Sequence, residues 1–197
     1  GSTDVVARLI AAHMKDYAPS VVIDARPGAS GRIALQALKA SPPDGLTLTL
    51  IPGSTMFLFP SIYSKLGYEP LTDFDPIAAP CKIEFGLVVG PMVPAEVKTF
   101  ADFVAWCRAN PGKASFGSSG PGTPQHFTGE LIGRLAKFDF THVAYRGAGP
   151  ATQDILAGQI ASNVSVLTNV MPYLESKQLR VLAVASASRS PFLPQTP

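Results

Sequence analysis

Strand-like and helix-like segments alternate along most of this chain, and that alternation restricts the fold more than any single motif does. Segments 21–25, 46–51, 85–89, 114–117, 143–145, 162–166 and 180–185 carry the short apolar, often β-branched runs of strands. Amphipathic blocks stand between them. Val6, Leu9, Ile10 and Met14 form the inner stripe expected of a first helix, with Ser2 or Thr3 as its cap and Asp4 at its positive end. A second helix, about 31–39, turns Ile33, Ala37 and Leu38 inward. A third runs from a Thr99 cap to about 110, and Phe127, Leu131 and Leu135 line a fourth. A fifth covers 151–157 and closes on Gly158. Residues 60–80 lack periodicity and read as a long surface connection. Such repetition implies an α/β fold with mostly parallel sheets. Ligands of such folds lie beyond the carboxyl ends of strands, where loops enter helices.

Composition narrows the function. Of 197 residues, 46% are hydrophobic and 15% charged, which describes a folded chain rather than a disordered one. A net charge of +2 without a basic run excludes a nucleic-acid partner, and no apolar run is long enough to span a bilayer. Cys81 and Cys107 make no disulfide framework. Cys107 shares an apolar helical face with Phe100, Phe103 and Val104, so a buried, inert thiol is expected. His13, His126 and His142 show no ligand spacing, and no metal or cofactor is expected. The chain carries no signal peptide, and a strand is expected to precede Gly1 in the parent protein.

Three loops share one design: small residues, a hydroxyl or glycine, then a helix start. They are Gly1-Ser2-Thr3-Asp4, Gly117-Ser118-Ser119-Gly120-Pro121-Gly122-Thr123 and Tyr145-Arg146-Gly147-Ala148-Gly149-Pro150. Free amides and the helix dipole favour negative charge there, and glycine lets a ligand approach the backbone. Pro150 suits the first helical position, where no N–H is needed. Arg146 reads either as a partner for a carboxylate or as a solvated loop arginine, and Tyr145 as a cleft wall or part of the core. Gly53 and Ser54, ending the 46–51 segment, complete the glycine-and-hydroxyl set. Enzyme motifs are missing. Pro121 stands where a nucleophile elbow needs its second glycine, and the dinucleotide and Walker spacings are absent. A hydrolase using Ser118 or Ser119 with His126 is the rival reading, although no carboxylate is obviously placed to orient that ring. His142 opens a strand and reads as structural, and Trp106 as a partly buried surface aromatic.

The chain resembles the periplasmic solute-binding receptors of tripartite tricarboxylate transporters, the TctC-like or Bug receptors. The matching residues run in order through Ser2-Thr3-Asp4-Val5-Val6-Ala7-Arg8, Arg26-Pro27-Gly28-Ala29, Pro43-Asp44-Gly45-Leu46-Thr47-Leu48 and Pro60-Ser61-Ile62-Tyr63. They continue in Leu71-Thr72-Asp73-Phe74, Ala109-Asn110-Pro111-Gly112-Lys113, the Gly117–Thr123 loop, Gln125-His126, Tyr145-Arg146-Gly147 and Arg189-Ser190-Pro191. The resemblance implies a two-lobed, type II Venus-flytrap fold, with 1–88 and 182–197 as an incomplete first lobe and 89–181 as the second. It implies a monomeric periplasmic receptor that captures a small organic carboxylate between the lobes and delivers it to membrane transporter subunits. A ligand sensor for a membrane signalling partner is a further alternative. The ligand-binding set it implies is Ser2, Thr3, Asp4, Gly53, Ser54, Ser118, Ser119, Gly120, Gly122, Thr123, His126, Tyr145, Arg146, Gly147, Pro150 and Ser165, with no catalytic residue. Three residues depart from the pattern: Ser30 where glycine is usual, and Ala161 and Ser165 where aspartate is common. The last disfavours an amino-acid ligand. Both ends also look clipped against the family.

Overall fold

The computed structural model describes residues 2–197, and the chain falls into two compact units that divide between Ala79 and Pro80. In the first unit, helices α1 (Ser2–Ala11), α2 (Arg32–Lys39) and the single turn α3 (Ser54–Phe57) are joined by largely irregular chain. Its core is small: Leu35, Phe59, Leu66 and Tyr68. The Tyr68 hydroxyl donates to the Thr55 carbonyl at 2.6 Å, so the phenol enters the core with its polar tip satisfied. The 60–80 segment is therefore more than a surface connection, because Leu66 and Tyr68 are both inside.

Several expectations need correcting in this unit. Residues 21–25 and 46–51 form no regular element, and neither makes a ladder with another strand among the described residues. Val22 and Leu46 are 84% and 73% exposed. A β-pattern becomes a strand only when a neighbour supplies the other half of its hydrogen bonds. α1 already includes Ser2, so Ser2 and Thr3 lie in its first turn rather than at its cap. None of the α1 stripe is buried. In α2 the buried residue is Leu35, which meets the Phe59–Tyr68 cluster, whereas Ile33, two positions earlier and across the helix, is exposed.

The turn before α2 holds four successive residues at positive φ: Gly28, Ala29, Ser30 and Gly31. Ser30, at φ 55°, carries a Cβ in the left-handed region that glycine occupies freely. Ser30→Gly is expected to raise stability by about 0.5–1 kcal/mol, the relief of strain exceeding the added unfolded-state entropy, read as a higher urea midpoint.

The second unit is built on a five-stranded sheet: β1 (Phe85–Val89), β2 (Ser115–Ser118), β3 (Thr141–Ala144), β4 (Ser162–Val166) and β5 (Arg180–Val184), in the order β3-β2-β4-β1-β5. β3, β2 and β4 are parallel to one another. β1 is antiparallel to both β4 and β5, so it alone runs against the other four. Helices α4 (Phe100–Ala109) and α5 (Pro124–Ala136) cover one face, where Leu87, Val89, Phe116 and Val164 meet Phe103 and Cys107. Helices α6 (Ala148–Leu156) and α7 (Leu167–Glu175) cover the other, where Val88 meets Ile155 and Val170. α4 starts with a capping box: Thr99 accepts from the Asp102 amide, and the Asp102 carboxylate accepts from the Thr99 amide. Burial pushes the Cys107 thiol up to about 12, the inert state expected of it. Sequence patterning missed α7, which has no side-chain cap and carries Pro172 inside it.

The helix after β2 presents the face opposite to the one expected. Phe127, Leu131 and Leu135 are exposed, and the residues turned to the sheet are Gln125, Gly129 and Gly133. The reason is volume. The rings of Phe116 and Phe140, 4.7 Å apart, fill the space under α5, and only glycines let the helix backbone settle on them.

Candidate functional site

Because β3, β2 and β4 are neighbours and parallel, their carboxyl ends fall side by side. Each runs directly into a helix: β2 through the 119–123 loop into α5, β3 through 145–147 into α6, and β4 without a loop into α7. Three helix amino termini therefore share one edge of the sheet, each contributing the positive end of a dipole. The first two loops are tied together. The Tyr145 amide donates to the Ser118 carbonyl at 3.1 Å, and the Gly147 amide to the Ser119 carbonyl at 3.3 Å.

Within the first loop the hydroxyls hold the backbone in shape. Ser118 is fully buried; its Oγ accepts from the Gly120 amide at 3.2 Å and lies 2.7 Å from Nε2 of His142. Thr123 caps α5: its hydroxyl donates to the Gly120 carbonyl at 2.7 Å and accepts from the His126 amide at 3.4 Å. Gly120 and Gly122 sit at φ 144° and 75°. His126 accepts from the Gly122 amide through Nδ1 at 3.3 Å, and its Nε2 lies 3.5 Å from Glu130. Its ring lies tilted against that of His142 at 33°, centroids 4.2 Å apart. Burial first, then the neighbouring His126, push His142 below the ordinary imidazole range, and Glu130 acts in the opposite direction.

In the second loop, Tyr145 donates its hydroxyl to Asp154 at 2.7 Å; burial and that bond hold the phenol above its ordinary range. Arg146 is exposed and makes no ion pair among the described residues, and Gly147, at φ 109°, leads into α6 without a side-chain cap. α6 begins earlier than expected, at Ala148, so Pro150 is its third residue rather than its first, still within the turn whose amides have no intrahelical partner. Ser165, the penultimate residue of β4, is buried, and its hydroxyl is the buried side-chain atom that finds no hydrogen-bond partner among the described residues. Ser118, Ser119, Gly120, Gly122, Thr123, His126, Tyr145, Arg146, Gly147, Pro150 and Ser165 thus gather at one edge of the second unit. The other five belong to the first unit. Ser2, Thr3 and Asp4 open α1, where Asp4 pairs with Arg8 at 2.9 Å, and Gly53 and Ser54 open α3.

The hydrolase reading loses its geometry here. Ser118 is bonded to His142 rather than to His126 and is closed to solvent, and among the described residues no hydrogen bond joins the half-buried Ser119 to His126. Two features of the constellation escaped the sequence. His142 is a working partner of the loop, reached only because parallel pairing sets it across from Phe116, next to Ser118. Glu130 stands one helical turn after His126, a spacing that was readable. Among the described residues no cluster of side chains suits a metal ion, and no helix is long and apolar enough to cross a membrane. An open depression of about 610 Å³ lies at the far half of α5, around Arg134, Lys137 and Phe138, away from this edge.

Helix starts gathered at the carboxyl edge of a parallel sheet, with glycines and hydroxyls but no exposed nucleophile–base pair, define an α/β ligand-binding unit. The chain belongs to the family of tripartite tricarboxylate transporter receptors, TctC, whose model matches residues 6–197. It is 31% identical to BugT of Bordetella pertussis over its whole length, spanning 60% of that protein. Among solved structures it is similar to an R. palustris protein with adipate, at 33% identity and a TM-score of 0.93, covering all of this chain and 66% of that one. The periplasmic binding protein BugD is similar at 27% identity and a TM-score of 0.86, over all of this chain and 65% of its own. The family is one of receptors, not of enzymes.

Proposed function

We propose that this chain is the greater part of a periplasmic receptor that captures a small organic carboxylate and presents it to a membrane transporter. The observation that carries the reading is the convergence of α5, α6 and α7 starts on one sheet edge, beside the free Arg146 guanidinium. Such an edge neutralises a carboxylate with backbone amides and needs few fixed charges. The adipate held by the R. palustris relative supports the class of ligand, and BugD supports the compartment. In the two-lobed reading, 89–181 forms the second lobe and 1–88 with 182–197 the first, whereas the compact units divide at 79/80 and keep β1 and β5 whole within one sheet. The receptor works as a monomer.

The ligand carries no free amine. Ser165 offers a hydroxyl where an aspartate would pair with an ammonium, and Asp154 is already occupied by Tyr145. An unpaired buried ammonium is costly. A thermal-shift screen of dicarboxylates and aromatic acids against amino acids tests this. Stabilisation by organic acids is expected, by roughly 2.7 kcal/mol at a hundredfold excess over Kd. Stabilisation by aspartate or glutamate alone would contradict the reading.

A further inference from the structure

The contact between Gly122 and His126 holds more than loop shape. The Gly122 amide donates to His126 Nδ1 at 3.3 Å, which requires that Nδ1 carry no proton and places the ring hydrogen on Nε2, toward Glu130. Charging the ring adds a proton to Nδ1. Two N–H groups then point at each other, and the contact turns repulsive unless an acceptor enters between them. We propose that His126 is a proton-operated gate on the Gly122 amide: the neutral ring occupies that amide, and the charged ring releases it and joins it as a second donor to one anionic oxygen. This rests on the reading of the 118–123 loop as a carboxylate site.

The surroundings suit the role. The His126 side chain is 22% exposed, so its proton exchanges with solvent. Two ionisable groups face it: Glu130 from its own helix and His142 from β3. β2 and β4, which also pack against α5, contribute no ionisable side chain, and the exposed Arg146 stands on the neighbouring loop. His142 lies deeper, and burial and the neighbouring ring push it below the ordinary imidazole range, which leaves Nδ1 of His126 as the position where a proton breaks the Gly122 contact. The Gly122 amide belongs to the turn that opens α5, where the dipole already favours an anion. Capture of a carboxylate is therefore coupled to proton uptake. Affinity rises as pH falls, by up to about tenfold per unit, and levels off once the ring is charged.

The test has two arms. In the ligand-free protein, the His126 ring nitrogens and the Gly122 amide are followed by NMR from about pH 8 to pH 5, across the range where imidazole titrates. Both are expected to change with a common midpoint, and Glu130→Gln, on the exposed face of α5, moves that midpoint to lower pH for both. In the second arm adipate is titrated calorimetrically in two buffers of different ionisation heat. Proton uptake is expected in the native protein and is lost in His126→Gln. A Gly122 amide indifferent to the state of His126, or proton uptake that survives His126→Gln, overturns the gate. If adipate binds at no pH, adipate is excluded as the carboxylate, and the ligand-free titration alone decides the gate.

Discussion

Gly129→Ala is expected to lower the stability of the second unit by about 3 kcal/mol, seen as a lower urea midpoint at unchanged slope. A methyl group at this position falls inside the Phe116 ring, which is itself fully buried, stacked on His142 and tilted against Phe140. The ring has nowhere to turn, so α5 must lift from the sheet or the Phe116 side chain must leave its rotamer. Lifting α5 also displaces the Thr123 cap and the loop it holds. The loss should therefore reach adipate binding as well as stability. A second change separates the causes: Phe116→Leu added to Gly129→Ala should recover part of the stability, because the two residues compete for one volume.

Arg180→Ala is expected to cost about 2–3 kcal/mol. Arg180 opens β5, and its guanidinium donates to four backbone carbonyls of the turn after β1: Val93 at 2.8 Å, Pro94 at 3.0 Å, Ala95 at 3.1 Å and Val97 at 2.8 Å. Val93 and Val97 are core residues, so the turn must be held down for the sheet to keep its cover. No carboxylate joins this arrangement; carbonyl dipoles alone hold the cation. The planar fork of arginine fits two carbonyls with each terminal nitrogen, and Arg180→Lys recovers little because a compact ammonium reaches fewer of them. Hydrogen exchange of the 93–97 amides, faster in both variants, checks that the damage begins in this turn.

The second unit was largely readable in order. The 85–89 and 162–166 strands, the Thr99 cap and the Gly158 terminator are local signals, and local chemistry decides them. What failed were judgements of inside and outside. The Phe127–Leu131–Leu135 stripe has the spacing of a buried face, yet the space under α5 belongs to phenylalanines from two other strands or their flanks, which no window along the helix reveals. The 21–25 and 46–51 segments have the composition of strands, but a ladder is a property of pairs. The candidate site followed the same division. Its glycines, hydroxyls and helix starts were visible as loops. The bond of Ser118 to His142, the ring contact of His142 with His126 and the unpartnered Ser165 hydroxyl appear only when β3, β2 and β4 are laid side by side.

The reversed direction of β1 bears on the route by which the second unit assembles. β1 lies between β4 and β5, the two strands that come last along the chain. As the chain emerges during synthesis, the 85–89 segment is present from the start without either neighbour, while β2 and β3 pair across a single intervening helix. Closing the loop from β1 to β4 spans most of the unit, and contacts of that separation form slowly. Until then Phe85-Gly86-Leu87-Val88-Val89 remains an apolar, unpaired edge open to another chain. Yield on refolding should therefore fall with protein concentration, and conditions that delay β4 should worsen it more than those that delay β3.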